Sequence, residues 1–145
     1  MSADATREFV DANILVYALD ASAGRKHDLA RALLEKLWRD QTGCLSVQVL
    51  QEFYVTVTRK VAAPLTLDEA AERVRELSTW TVFSPTADDV LKAIGLQKQK
   101  RLSFWDAMIV EAAAELGAAT LWTEDLHDGN TIRSVRIRNP FTTVQ

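Results

Sequence analysis

The sequence predicts an α/β domain with a short-stranded, mainly parallel central sheet and helices on both faces. Short apolar or β-branched runs recur at Phe9-Val10, Cys44-Leu45-Ser46, Trp80–Phe83, Ala118–Trp122 and Val135–Arg138. Stretches with helical periodicity separate them, the pattern of βαβ units. At 145 residues, one domain over 1–145 is expected. With 48% hydrophobic and 26% charged residues the composition is that of an ordinary globular chain.

The first strand ends at Phe9-Val10, and Asp11 stands at its carboxyl end. Asn13, a favoured capping type, is expected to start a helix through Tyr17. Gly24 to Asp40 reads as a helix, with Leu29, Leu33 and Leu37 at four-residue steps beside Ala30 and Leu34. Cys44–Ser46 is a strand after a turn containing Gly43. Ser46 then caps a helix from Val47 to about Lys60, ended on the approach to Pro64. Thr66 caps a helix over Leu67–Leu77, with Asp68 and Glu69 in the first turn, where the helix dipole favours acids. Trp80–Phe83 is strand-like and stops before Pro85. Thr86 to Lys98 is helical and runs into the basic segment ending at Arg101. Ser103 opens a helix through Leu116 that stops at Gly117. Ala118–Trp122 is a strand, Thr123–Asn130 a polar loop, and Val135–Arg138 alternates as an edge strand would, before Asn139-Pro140 ends the ordered chain.

Four acids stand near element junctions: Asp11, Glu52, Asp106 and Asp125. Loops after successive parallel strands open on one sheet edge, so Asp11, Asp106 and Asp125 can converge there. Carboxylates crowded into poorly hydrated surroundings need neutralisation, and a hard divalent cation such as Mg²⁺ or Mn²⁺ supplies it through oxygen ligands. Each acid also has a plainer explanation. Asp11 fits a turn that caps a helix. Ser103 to Asp106 has capping-box spacing. Glu52 falls nearly opposite the apolar face of Leu50, Phe53, Tyr54 and Val57, as a solvated residue would. Asp125 lies in a polar run with Glu124, His127 and Asp128.

Other chemistries find little footing. A single cysteine, Cys44, excludes an intrachain disulfide and suits a reducing cytoplasm. No signal peptide or membrane span is read. His27 and His127 do not form a metal pair, no glycine-rich phosphate loop occurs, and no serine sits in a nucleophile elbow. An aspartyl-phosphate phosphatase wants a second carboxylate two residues after its nucleophile, where this chain has Asn13. The tryptophans at 38, 80, 105 and 122 read mostly as core. Lys98, Lys100 and Arg101 form either a solvated helix end or a phosphate contact. The net charge of −3 does not advertise a nucleic-acid binder, although bound cations would invert the field at an acidic site.

The ordered set then becomes recognisable. Phe9-Val10-Asp11-Ala12-Asn13-Ile14-Leu15-Val16-Tyr17 resembles the first motif of PIN domains, Ser46 to Glu52 the second, Leu102–Ala107 the third and Leu121–Asp125 the fourth. The small size is similar to that of VapC-type toxins of bacterial toxin–antitoxin pairs, and Asn139-Pro140-Phe141 resembles the ending of one branch of them. The resemblance implies a PIN-like, ribonuclease H-like α/β/α sandwich and an endoribonuclease dependent on Mg²⁺ or Mn²⁺. It carries over Asp11, Glu52, Asp106 and Asp125 as the acidic quartet, with Asn13, Ser103 and Thr123 as residues behind them. Asp11 and Asp106 would hold the main metal, and Asp125 would complete or flank the site. Glu52 would orient or deprotonate water, or hold a second ion. Where the family often has a further acid, this chain has His127, so Glu124 or Asp128 stands as an addition or replacement for Asp125. The implied partners are RNA, a cognate antitoxin lying in an apolar groove near Leu33, Leu37, Trp38 and Tyr54, and a second copy, since such folds often dimerise. The rival reading is a non-catalytic module that keeps the fold and works by protein contact.

Overall fold

The computed structural model describes residues 6–142. The elements run β1 (Glu8–Val10), α1 (Ala12–Leu19), α2 (Arg25–Asp40), β2 (Gly43–Ser46), α3 (Val47–Arg59) and α4 (Leu67–Leu77). They continue through β3 (Thr81–Phe83), α5 (Ala87–Lys100), α6 (Phe104–Glu115), β4 (Thr120–Trp122), β5 (Thr131–Ile132) and β6 (Val135–Arg138). The six strands lie in the order β3-β2-β1-β4-β6-β5, parallel except for β5.

The register explains the core. Phe9 sits opposite Cys44 on one side and Leu121 on the other, and Leu121 sits opposite Ile137. All four are fully buried, because helices cover both faces of a parallel sheet. Burying each large one stabilises the fold by about 1.5–3 kcal/mol. With right-handed crossovers, α1 to α4 cover one face and α5 and α6 the other. Accordingly α1 packs on α2 and α3, α3 on α4, and α5 on α6. The chain leaves β1 toward one face and enters β4 from the other. Their shared carboxyl end is therefore the topological switch point, where α/β sheets form crevices.

The structure departs from the sequence expectations in three places. Asp11, not Asn13, caps α1: its backbone is extended and its carboxylate accepts the Ala12 N–H. The cap comes at once because the chain leaves β1 at Asp11, and the Asn13 amide is left for another task. Val135–Arg138 is not an edge strand. It lies between β4 and the antiparallel β5, joined to β5 through Arg133 and Ser134, both at positive φ. That is a hairpin turn made without the usual asparagine or glycine, so the sequence carried no signal for β5. The ordered chain also continues past Pro140, with Phe141 buried edge-on against Tyr17 at 5.2 Å. Of the tryptophans, Trp80 and Trp122 pack against the core, whereas Trp38 and Trp105 are 43% and 60% exposed. Among the described residues no helix is long and apolar enough to cross a membrane.

Candidate functional site

At the switch point, Asp11, Glu52, Asp106 and Asp125 line one cavity of about 500 Å³. Two of them are delivered by helix capping, and Asp125 by a turn closed on a side-chain hydroxyl. Asp11 ends β1 and caps α1, with one oxygen accepting the Ala12 N–H at 2.7 Å. Its other oxygen accepts the Thr123 hydroxyl at 2.8 Å. Thr123 is fully buried at the end of β4, and the same hydroxyl oxygen accepts the Asp125 N–H at 3.1 Å. One hydroxyl thus ties the first acid to the backbone of the last. Asp106 is placed by Ser103, whose Oγ accepts its N–H at 3.0 Å and caps α6.

Glu52 arrives from α3. The helix buries Val49, Phe53 and Val57, and the side away from them faces the acids rather than open water. Helical periodicity located this side correctly but could not say what it faced. Gln48, which sequence reasoning missed, holds Glu52 by a 3.0 Å hydrogen bond from its amide. The same amide reaches the Trp105 carbonyl at 3.2 Å, joining α3 to the start of α6.

Asn13 donates to Asp125 Oδ2 at 3.0 Å, while its own Oδ1 is buried with no partner. The two alternative acids are committed elsewhere. Glu124 accepts from the Tyr17 hydroxyl at 2.7 Å and forms an ion pair with Lys26, whose ammonium also lies over the Tyr17 and Phe141 rings. Asp128 accepts from the Asn139 N–H at 2.8 Å and the Thr142 hydroxyl at 3.1 Å. Asp125 is therefore the acid of this loop that remains turned to the cavity.

The electrostatics are those of a site short of positive charge. Burial pushes the Asp11 carboxyl up to about 7, against the pull of its hydrogen bonds from Thr123 and Ala12, and Glu52 and Asp125 push the same way. Asp106 is raised as well, by burial first and then by Asp125, with the Ser103 bond opposing. The donors are all oxygens, which suits a hard divalent cation. Asn13 lines the same cavity and keeps a buried Oδ1 with no hydrogen-bond partner, a neutral oxygen close to the acids. Among the described residues, no three acidic, histidine or cysteine side chains are grouped as a finished cation cage. Asp125 is turned onto the Asn13 amide and Glu52 onto the Gln48 amide, single contacts that a cation would replace. The donor set therefore fits a divalent ion.

A separate apolar cavity of about 230 Å³ opens between α1, α2, α3 and α4, lined by Leu15, Leu19, Leu34, Trp38, Phe53 and Leu77. Of the groove residues expected from the sequence, Trp38 lines it and Leu33 and Tyr54 do not. Leu37 is fully buried, because it faces the sheet side of α2.

The family profile of the PIN domain matches residues 9–127, which contain all four acids. No protein of curated function matches the sequence. Among solved structures, a toxin–antitoxin complex from Klebsiella pneumoniae is similar at 22% identity, covering 92% of this chain and 98% of that one, with a TM-score of 0.66. The VapC20 toxin of Mycobacterium tuberculosis, described as cleaving the sarcin–ricin loop, is similar at 22% identity over 81% of this chain and 91% of its own, with a TM-score of 0.62. VapBC2 from Rickettsia felis, bound to a DNA fragment of its promoter, aligns at 22% identity over 91% and 97%, with a TM-score of 0.63. At such identities the likeness is one of fold.

Proposed function

This chain belongs to the PIN-domain family, and from that premise we propose that it is a Mg²⁺- or Mn²⁺-dependent endoribonuclease, the toxin of a toxin–antitoxin pair. The observation that carries this reading is the meeting of Asp11, Glu52, Asp106 and Asp125 in one cavity at the sheet's switch point. Family membership and the toxin–antitoxin setting of the similar structures support it.

Asp11 and Asp106 would hold the cation, with Asp125 completing the site. A bound divalent ion supplies water of lowered pKa and offsets charge gathering on the phosphoryl oxygens. The remaining work falls to the chain itself. Thr123 fixes the Asp11 carboxylate and the Asp125 backbone together, and Asn13 sets the direction of the Asp125 side chain. Glu52, braced by Gln48, orients the attacking water and takes its proton. The water oxygen bonds to phosphorus in line with the departing 3′ oxygen. The P–O3′ bond breaks, the departing 3′ oxygen takes a proton from solvent water, and the products are a 5′-phosphate and a 3′-hydroxyl.

The apolar cavity beside Trp38 would receive an extended or helical segment of the antitoxin, with Arg31, Glu35, Arg73 and Glu76 available around it for polar contacts. The test is cleavage of total RNA by partner-free protein with Mn²⁺, with the ends mapped. Asp11→Asn is expected to abolish cleavage while the protein keeps its fold. Unchanged cleavage by that variant would refute the acid assignment. No cleavage and no Mn²⁺ binding by the parent would favour a non-catalytic module.

A further inference from the structure

Asp106 and Asp125 line two cavities, not one. The second, of about 660 Å³, extends from them past Ser103 and His127 to Lys100 and Arg101. The first reaches from the same two acids past Asp11 and Glu52 to Lys60. The two cavities therefore meet at these acids, and each is also lined by at least one cation.

Lys26, Lys36, Arg73, Arg75, Lys92 and Arg133 all pair with carboxylates. Among the described residues, Lys60, Lys100 and Arg101 enter no ion pair, although carboxylates line the same cavities. All three are exposed, so packing does not account for them. Three such cations lining the two cavities that meet at the acids suit a ligand that brings negative charge on both sides of that centre. A nucleic-acid strand does this, with one charge per nucleotide.

We infer that the two cavities form one track for an RNA strand, in which Lys60 on one side and Lys100 with Arg101 on the other grip the phosphates flanking the one held at the acids. The inference rests on the ribonuclease reading and adds the residues that set the strand's path. Lys98, which lines neither cavity, stays outside the track, so the basic run seen in the sequence divides into a solvated part and a phosphate-binding part.

The test measures anisotropy of a short, labelled single-stranded RNA on the Asp11→Asn protein over a salt series, with cleavage kinetics on the Asp11-containing protein. Lys60→Gln and the pair Lys100→Gln with Arg101→Gln are expected to weaken binding by about 3- to 30-fold. Each lost cation should lower the slope of log K against log salt by about 0.7, as for single strands. KM should rise with kcat held. Arg136→Gln, an exposed cation lining neither cavity, is the control and should change nothing. The track is overturned if these variants bind with the parent's affinity and salt slope, if the control falls equally, or if no RNA binds. RNA binding with the expected slopes but no cleavage would overturn the nuclease reading and leave the track standing. Cleavage with unaltered variants would do the reverse.

Discussion

Asp11 serves three elements at once. It ends β1, caps α1, and is locked to β4 through Thr123. Burial raises its carboxyl to about 7, so the folded state holds this proton more tightly than the unfolded chain. Without metal, stability is then greatest below the unfolded carboxylate's pKa and falls as pH rises toward 7. The penalty at higher pH is on the order of 4 kcal/mol. Melting in chelator should show the temperature dropping between about pH 4 and 7 and levelling above. Asp11→Asn should flatten that profile and melt above the parent at about pH 8, since an amide keeps one acceptor for the Ala12 N–H without the charge. Thr123→Val tests the other side of the same lock. It leaves an Asp11 oxygen and the Asp125 N–H without their partner, at a cost of about 2–4 kcal/mol. Thr123→Ser should restore most of it, as read by urea unfolding.

At the scale of elements, caps position the site. Ser46, Thr66, Thr86 and Ser103 each accept a backbone N–H in the first turn of their helix. Ser46, Thr66 and Ser103 were legible as Ser or Thr at a helix start, and Thr86 was read as the start of its helix. A different constraint appears at Gly43, the first residue of β2. A Cβ there would come within 2.5 Å of the Trp80 ring. Trp80 itself packs edge-on against Trp38 at 5.2 Å. Gly43→Ala should therefore destabilise by about 1–3 kcal/mol in thermal melts. Combining it with Trp80→Leu should cost less than the two singly, because the clash is gone. The elements lost to sequence reading share one property. The β5–β6 hairpin uses Arg133-Ser134 where turn chemistry favours Asn-Gly, and the Tyr17–Lys26–Glu124 cluster joins residues about a hundred positions apart. Neither leaves a local pattern.

For the whole molecule, topology does what no single segment does. Strand–helix alternation made the α/β class readable, and the switch between β1 and β4 then required a crevice above Asp11 and Asp125. Glu52 shows where pattern alone runs out. The wheel put it opposite the core correctly, yet only the packed molecule shows that α3's outer side borders the acids. Resemblance supplied that residue where periodicity argued for solvent. Likewise, partners in other segments engage Glu124 and Asp128 and leave Asp125 turned to the cavity.

Four carboxylates line one cavity, burial raises Asp11 and Asp106 there, and the proposed divalent ion would supply positive charge. Calorimetric titration of metal-free protein with Mn²⁺ tests this most directly. The parent should bind, with affinity rising as pH climbs through about 7 because the ion displaces the Asp11 proton. Asp11→Asn should lose binding by at least about tenfold, a loss that even residues merely orienting a ligand produce. Binding by Asp11→Asn equal to the parent's, or parent affinity indifferent to pH across that range, would contradict the account.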